Sequence, residues 1–404
     1  MTPEVIVLAL VVITALAFDF TNGFHDTGNA MATSIATGAL RPKTAVTISA
    51  ILNLVGAFLS VEVAVTVTKD ILRLQAKDGS LLAGISPSLA MTIVFAGLIG
   101  GILWNLFTWL LGLPSSSSHA LFGGLIGAGL AGIGISGVKW EGVSAKILLP
   151  AIMSPLIAGS VAALGTALVY FLSRSVRSQA KQNSAFRWGQ VGTASLVSLA
   201  HGTGDAQKTM GVIALALIVH GDLTVASIDQ NGLPIWIIVT CAVAIALGTY
   251  LGGWRIIRTL GKGLVDMAPA QGMSAQASSA AIILTSSHFG MALSTTHVAT
   301  GSILGSGVGR PGAQVRWGVA ARMVVAWLIT LPCAGAVGAI CLLVSRLIGG
   351  LAGDLVIFAA LVGLSVFMYL RSRRQAVTAH NVNHDWEPEQ VEAEAEMRVG
   401  SGAA

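Results

Sequence analysis

Four uncharged runs of membrane-spanning length constrain this chain more than anything else in it. Leu89–Leu113 holds 25 residues without a charge, Ile147–Ser173 holds 27, Leu233–Gly253 holds 21 and Met323–Ser345 holds 23. About 20 apolar residues carry a helix across a bilayer core. In hydrocarbon every backbone polar group must be satisfied within a helix or a closed barrel. A barrel would show short alternating segments and aromatic girdles, whereas this sequence has three Tyr and 48 Gly in 404 residues. Small residues are what closely packed membrane helices use where backbones meet. Only 10% of residues are charged, against about 25% in soluble domains. The expected fold is therefore all-α, a polytopic membrane protein.

The remaining composition narrows the reading. Cys241, Cys333 and Cys341 lie in apolar runs with no CxxC spacing, which argues against disulfide or zinc frameworks. Met1–Phe18 has no basic n-region or cleavage site, so it reads as a first spanning helix rather than a signal peptide. Net charge is +5, carried mostly by connecting loops, and nucleic acid is not implied. Arg174, Arg177, Lys181 and Arg187 mark a basic linker at 174–190, placed in the cytoplasm by the positive-inside tendency. The polar tail, 371–404, has four Arg against six acids and few apolar residues, a composition expected to stay disordered.

Internal similarity organises the rest. Gly23-Phe-His-Asp-Thr-Gly-Asn-Ala-Met31 and Gly202-Thr-Gly-Asp-Ala-Gln-Lys-Thr-Met210 match in glycine, aspartate and methionine. Ser116-Ser-Ser-His119 is answered by Ser294-Thr-Thr-His297, and Gly123 and Gly127 by Gly301 and Gly305. Asp26 precedes His119 by 93 residues and Asp205 precedes His297 by 92. The chain is a duplicated unit, with one repeat over 1–173 and a second over 191–370. Duplicated helical units with interrupted helices mark secondary transporters, whose site lies at the repeat interface near mid-membrane.

Two sets of polar residues are candidates for that site. Asp26 and Asp205 sit in apolar or small surroundings, where a carboxylate is expensive unless it meets a cavity, ion or partner. Asn22, Asn29, Thr27, Gln207 and Thr209 offer neutral oxygens beside them. Gly23, Gly28, Gly202 and Gly204 would permit irregular backbone there. Oxygen ligands of this kind suit Na⁺, Mg²⁺ or a proton. The second set is Ser116, Ser117 and Ser118 after Pro114, with Ser294, Thr295 and Thr296. Each run reads as a helix start, whose free N–H groups, dipole and hydroxyls form an anion cradle. His119 and His297 could donate to an anion or lock the helix start, and Lys208 could pair with Asp205 or snorkel outward. His25, His201 and His288 have no repeat partner and read as structural or peripheral. Asn53 and Asn105 read as helix-to-helix hydrogen bonds.

These residues resemble the inorganic phosphate transporter (PiT) family of low-affinity permeases. Its duplicated Gly-x-Asn-Asp-x-x-Asn-like element falls on both aspartate motifs. Ala200-His-Gly-Thr-Gly-Asp-Ala-Gln-Lys-Thr-Met210 and Ile102-Leu-Trp-Asn-Leu-Phe-Thr-Trp-Leu-Leu-Gly-Leu-Pro-Ser-Ser-Ser-Ser-His119 are similar to bacterial members. The likeness spans about residues 15 to 345. It implies inverted repeats with broken or re-entrant helices. It also implies phosphate co-transport with H⁺, Na⁺ or as a neutral metal–phosphate complex. On that resemblance Ser116, Ser117, Ser118, Ser294, Thr295 and Thr296 bind the anion, while Asp26 and Asp205 serve the cation. The family's asparagine before each aspartate is His25 and Gly204 here.

The expectation is a multi-pass bacterial cytoplasmic-membrane symporter, not an enzyme, with no resident cofactor and with Na⁺ or Mg²⁺ as possible cargo beside phosphate. The lipid bilayer and a second copy of the chain are the other partners. A sulfate permease is the alternative within the same class, and an acidic residue touching the anion would favour phosphate, because sulfate has no proton to give. An intramembrane Ser/His hydrolase is the remote alternative. Adjacent Ser118 and His119 would face different sides of one helix, and no Gly-x-Ser-x-Gly elbow is present.

Overall fold

The computed structural model describes residues 2–75, 81–174 and 178–383. Helices make up the described chain, joined by short turns, with only isolated β-bridges between them. The first half runs α1 (Pro3–Ala36), α2 (Pro42–Gly56), α3 (Glu62–Asp70), α4 (Pro87–Leu110) and α5 (Ser117–Ile133). A short α6 (Trp140–Val143) passes through a π-helical turn, Ser144–Leu148, into α7 (Leu149–Ser173). In the second half, α8 (Gln179–His201) passes through another π turn, Gly202–Ala206, into α9 (Gln207–His220). Then follow α10 (Val225–Asn231), α11 (Ile235–Leu251), α12 (Trp254–Lys262) and α13 (Pro269–His288). The last three are α14 (Thr295–Val308), α15 (Trp317–Ile348) and α16 (Gly350–Ser372).

Local sequence sets these boundaries. Proline occupies the first turn of α1, α2, α4, α7 and α13, where its missing N–H has no partner to lose. Gly221 ends α9 at φ 99°, a left-handed cap that costs glycine nothing. Five stretches are long and apolar enough to cross a membrane: Pro3–Ala36, Pro87–Leu110, Trp140–Ser173, Trp317–Ile348 and Gly350–Gln375. The α10–α11 pair, bent by 85°, makes a sixth if counted as one broken span. Ile152, Leu156, Leu164, Leu328 and Phe367 point outward from α7, α15 and α16, as a surface meeting lipid tails requires.

Packing repeats with the sequence and crosses between the halves. Helix α5 lies against α4 and α15, whereas α14 lies against α13 and α7. Helices α2 and α3 pack on α8 and α9, and α11 and α12 pack on α1. Each repeat thus completes the other. The duplicated glycines are the contact points. Gly123 and Gly127 face the backbone of Leu331 and Gly335, and Gly301 and Gly305 face that of Pro155 and Gly159. A Cβ on any of the four would fall under 3.0 Å from those atoms.

Three expectations change. Helix α1 runs unbroken through Gly23 and Gly28, so the backbone beside Asp26 is regular. Those glycines instead admit neighbouring helices, Gly23 at Ile245 of α11 and Gly28 at Ile256–Ile257 of α12. Around Asp205 the backbone does depart from the α-helix, as the π turn shows. The basic stretch is helical from Gln179 onward; Arg177 lies outside the described residues. The start of the polar tail is folded: Arg373–Gln375 forms a single 3₁₀ turn, Val382 is buried, and Asn383 Nδ2 donates to the Ile35 carbonyl at 3.2 Å. The rest of the tail, 384–404, lies outside the described residues.

Candidate functional site

Both hydroxyl runs begin helices, and both helices begin at the same place in the protein. Ser116 caps α5 by accepting the His119 amide at 3.2 Å, and Ser294 caps α14 by accepting the His297 amide at 3.2 Å. The cap occupies each oxygen and leaves its hydrogen free to donate. The next residues reach the aspartates. Ser117 Oγ donates to Asp26 Oδ1 at 2.9 Å. Thr295 Oγ1 lies 3.0 Å from Asp205 Oδ2 and 3.2 Å from Asp26 Oδ2. One hydroxyl therefore joins the two carboxylates that the duplication set 179 positions apart.

The third residues of the runs cross to the opposite half. Lys208 Nζ donates to Ser118 Oγ at 2.6 Å and to the Leu293 carbonyl at 2.9 Å, and it forms an ion pair with Asp205. Asn29 Nδ2 donates to Thr296 Oγ1 at 3.0 Å. Aligning the repeats places Asn29 on Lys208 and Ser118 on Thr296. The two bonds are thus one contact made twice, with an amide on one side and an ammonium on the other. All of these side chains are buried.

Two of the histidines read as structural or peripheral, His25 and His201, lie against this cluster. His25 Nδ1 lies 2.7 Å from Asp26 Oδ1, and its Nε2 lies 3.4 Å from Thr108 Oγ1 and 3.5 Å from Ser115 Oγ. His201 Nε2 lies 2.7 Å from Asp205 Oδ2 and 3.9 Å from Asp26 Oδ2, while its Nδ1 is 3.2 Å from Asn53 Oδ1. Asn53 also donates to Thr249 at 2.8 Å, so it bridges helices and fixes this ring as well. The signal was local. His25 adjoins its aspartate, and His201 stands four residues before Asp205, one helical turn away. Neither histidine has a repeat partner, because the two halves have diverged in what holds each carboxylate.

Other candidates stand apart. Gln207 Oε1 accepts the Val63 amide at 2.8 Å, so it ties down the start of α3. Asn22 Oδ1 is buried with no partner. His119 and His297 pack against each other with ring centres 4.8 Å apart and planes tilted by 49°. His297 also packs on Trp327 at 4.1 Å, and its Nδ1 lies 3.1 Å from the Ala151 carbonyl. Both rings face an apolar cavity between α7, α14 and α15, not the carboxylates.

What the arrangement can do follows from its donors and acceptors. Two helix N-termini, four hydroxyls and one ammonium form a strong anion environment. Two carboxylates inside it make an equally strong cation environment. Asp26, His201 and Asp205 offer ligand atoms all within 4.8 Å of one another. Thr295 has a single hydrogen to give, so it cannot donate to both aspartates. Asp205 is also met by His201 and Lys208, so Thr295 can give its hydrogen to either aspartate.

Comparisons with known proteins bear on the family of the whole chain. The family described as "Phosphate transporter family" matches residues 22–338. Proteins of Mycobacterium leprae and Mycobacterium tuberculosis (H37Rv) are 58% and 59% identical over 96% of this chain, covering 90% and 89% of their own lengths. A Bacillus subtilis protein is 42% identical over 85% of this chain and 98% of its own. Each is named a "Probable low-affinity inorganic phosphate transporter". A solved structure titled "The sodium-dependent phosphate transporter" has the same fold, with a TM-score of 0.71 at 22% identity over 85% of this chain and all of that one. A transporter fold, a near-full-length match and the duplicated motifs lead to one conclusion: this multi-pass membrane protein belongs to the phosphate transporter family.

Proposed function

We propose that the protein imports inorganic phosphate by cation-coupled secondary transport, with the anion held where α5 and α14 begin. The observation that carries this reading is a competition for donors. Ser117, Thr295 and Lys208 are the groups best placed to hold an oxyanion, and they are the same groups that satisfy Asp26 and Asp205. A cation bound by the two carboxylates releases those donors, and an anion bound by the donors strips the carboxylates and raises their need for a cation. Each ligand thus strengthens the other, and reciprocity of this kind is what symport requires.

Energetics give the direction of coupling. Moving a doubly charged phosphate into a negative interior costs about 2.3 kcal/mol per charge per 100 mV, or about 4.6 kcal/mol. Co-transported positive charge offsets that cost. The carboxylates also favour phosphate over sulfate. A phosphate P–OH can donate to Asp26 or Asp205, whereas sulfate presents only acceptors to an acceptor. Ser118 is held by Lys208 and has no contact with His119 of the kind that nucleophilic activation needs, so its role is binding.

Reconstitution tests the reading. Labelled phosphate uptake into proteoliposomes is measured with Na⁺, proton and Mg²⁺ gradients imposed separately and with excess sulfate as competitor. One of the gradients is expected to drive accumulation, and sulfate is expected to compete poorly. Equal uptake with and without every gradient would exclude symport, and strong sulfate competition would exclude the assigned role of the carboxylates.

A further inference from the structure

Among the described residues four carboxylates are buried: Asp19, Asp26, Asp205 and Asp354. Three of them have hydroxyl, histidine or ammonium partners. Asp26 has Ser117 and His25, Asp205 has Thr295, His201 and Lys208, and Asp354 accepts from Ser345 at 2.8 Å and Thr92 at 3.4 Å. Asp19 is different. It is 0% exposed, and neither of its oxygens has a hydrogen-bond partner.

Its surroundings are those of a ligand set lacking a centre. Asp19 lies on α1 seven residues before Asp26, two turns away on the same face. Asn22, one turn along, has a buried Oδ1 with no partner. Thr209 of α9 turns its hydroxyl toward Asp19, and that oxygen is also buried and unpartnered. The charged groups that act on Asp19 are Asp205, in the π turn, and His201 and Lys208, which flank it. On α11 the facing titratable group is the buried Cys241 thiol, and α4 and α11 carry no charged residue. An ionised carboxylate with no donor in a dry, membrane-buried interior costs several kcal/mol. Thr209 has a single hydroxyl hydrogen to offer, which cannot serve both Asp19 oxygens and Asn22 Oδ1, and a positive ion beside Asp19 would meet what is left.

We propose that Asp19, Asn22 and Thr209 form a second cation site, holding one monovalent cation, a proton or Na⁺, separate from the Asp26–Asp205 pair. The repeat alignment places Ser198 opposite Asp19, and that hydroxyl donates to Ser49 at 3.0 Å. The duplicated half therefore has no such site, and the extra charge belongs to the first repeat alone. This inference rests on the transport reading for its role, and its chemistry is tested without transport.

The equilibrium test uses purified full-length protein. Radiolabelled Na⁺ binding is counted, and the stretch of protonated carboxyl groups is followed by infrared difference spectroscopy as pH is changed. Asp19→Asn, an isostere of the filled site, is expected to remove one bound Na⁺ or one protonated-carboxyl band; which of the two is lost identifies the cation. The transport test measures charge moved per phosphate in proteoliposomes, which is expected to fall by one in Asp19→Asn. Should that variant fail to fold, Thr209→Val is expected to weaken cation binding about 10-fold while Thr209→Ser retains it. Unaltered Na⁺ counts and infrared bands in Asp19→Asn would overturn the site. Protein that moves no phosphate yet loses the cation in Asp19→Asn would remove the transport reading and leave the site standing.

Discussion

Thr295→Val is the substitution that most directly probes how the site is wired. Valine has the shape of threonine, so no cavity opens and packing is retained. What disappears is the one hydroxyl lying 3.0 Å from Asp205 and 3.2 Å from Asp26. A hydrogen bond to a charged group contributes about 1.5–3 kcal/mol. Because a threonine hydroxyl has one hydrogen, the loss is one such bond and not two. At about 1.4 kcal/mol per tenfold, the apparent KM for phosphate is expected to rise by roughly 10- to 150-fold. Thr295→Ser keeps the donor and drops a methyl group, worth about 0.8 kcal/mol, so its KM should stay within about fivefold of the parent. The assay is initial-rate phosphate uptake across a concentration series, with thermal melting of the purified protein as the folding control. A Thr295→Val protein whose KM matches that of Thr295→Ser would refute the donor-competition argument, since the hydroxyl would then be shown to do nothing.

Lys208→Met leaves Asp205 without its ammonium partner, and breaking a buried pair from one side costs about 3–5 kcal/mol. Uptake should be lost and melting lowered, with partial recovery of melting in Lys208→Met/Asp205→Asn; a single variant as stable as the parent would contradict the pairing. Lys208→Arg should not restore uptake, because a planar fork does not reproduce a point charge shared by Asp205, Ser118 and the Leu293 carbonyl. Asp26→Asn and Asp205→Asn should each abolish accumulation in a folded protein, and gradient-driven uptake at the parental level in either would remove that residue from coupling. Gly127→Ala and Gly305→Ala push a Cβ into the backbone of Gly335 and Gly159, a clash costing about 1–3 kcal/mol. Gly192→Ala, on an exposed helical position with open space around it, should instead be neutral or raise melting slightly.

The site was only partly visible in the linear chain. Repetition singled out Ser117, Ser118, Thr295, Thr296, Asp26 and Asp205, because polar groups kept in apolar sequence cost too much to lack a role. That logic missed His25, His201 and Asp19, which have no copy in the other half. It also gave Gln207 a place beside the aspartates, whereas its oxygen caps α3. Glycine was ambiguous for a related reason. Gly23 and Gly202 read alike and both admit a neighbouring helix, at Ile245 and at Asn53, yet the backbone is regular at Gly23 and a π turn at Gly202. A residue without a side chain permits both, and only its neighbours decide between them.

The linear chain by itself determined the solvent and the class. Runs of more than 20 uncharged residues cannot stay in water, and in hydrocarbon only helices satisfy their backbone. It also determined that two halves of one design are present. Tertiary structure decided what those halves do together. Thr295 reaching both aspartates and Lys208 crossing to Ser118 are contacts across 90 to 269 positions, and the burial of Asp19 beside Thr209 of α9 is likewise set by helix packing. Contacts at that range depend on how helices stack, and stacking is set by small residues whose type says that backbones will touch but not which ones.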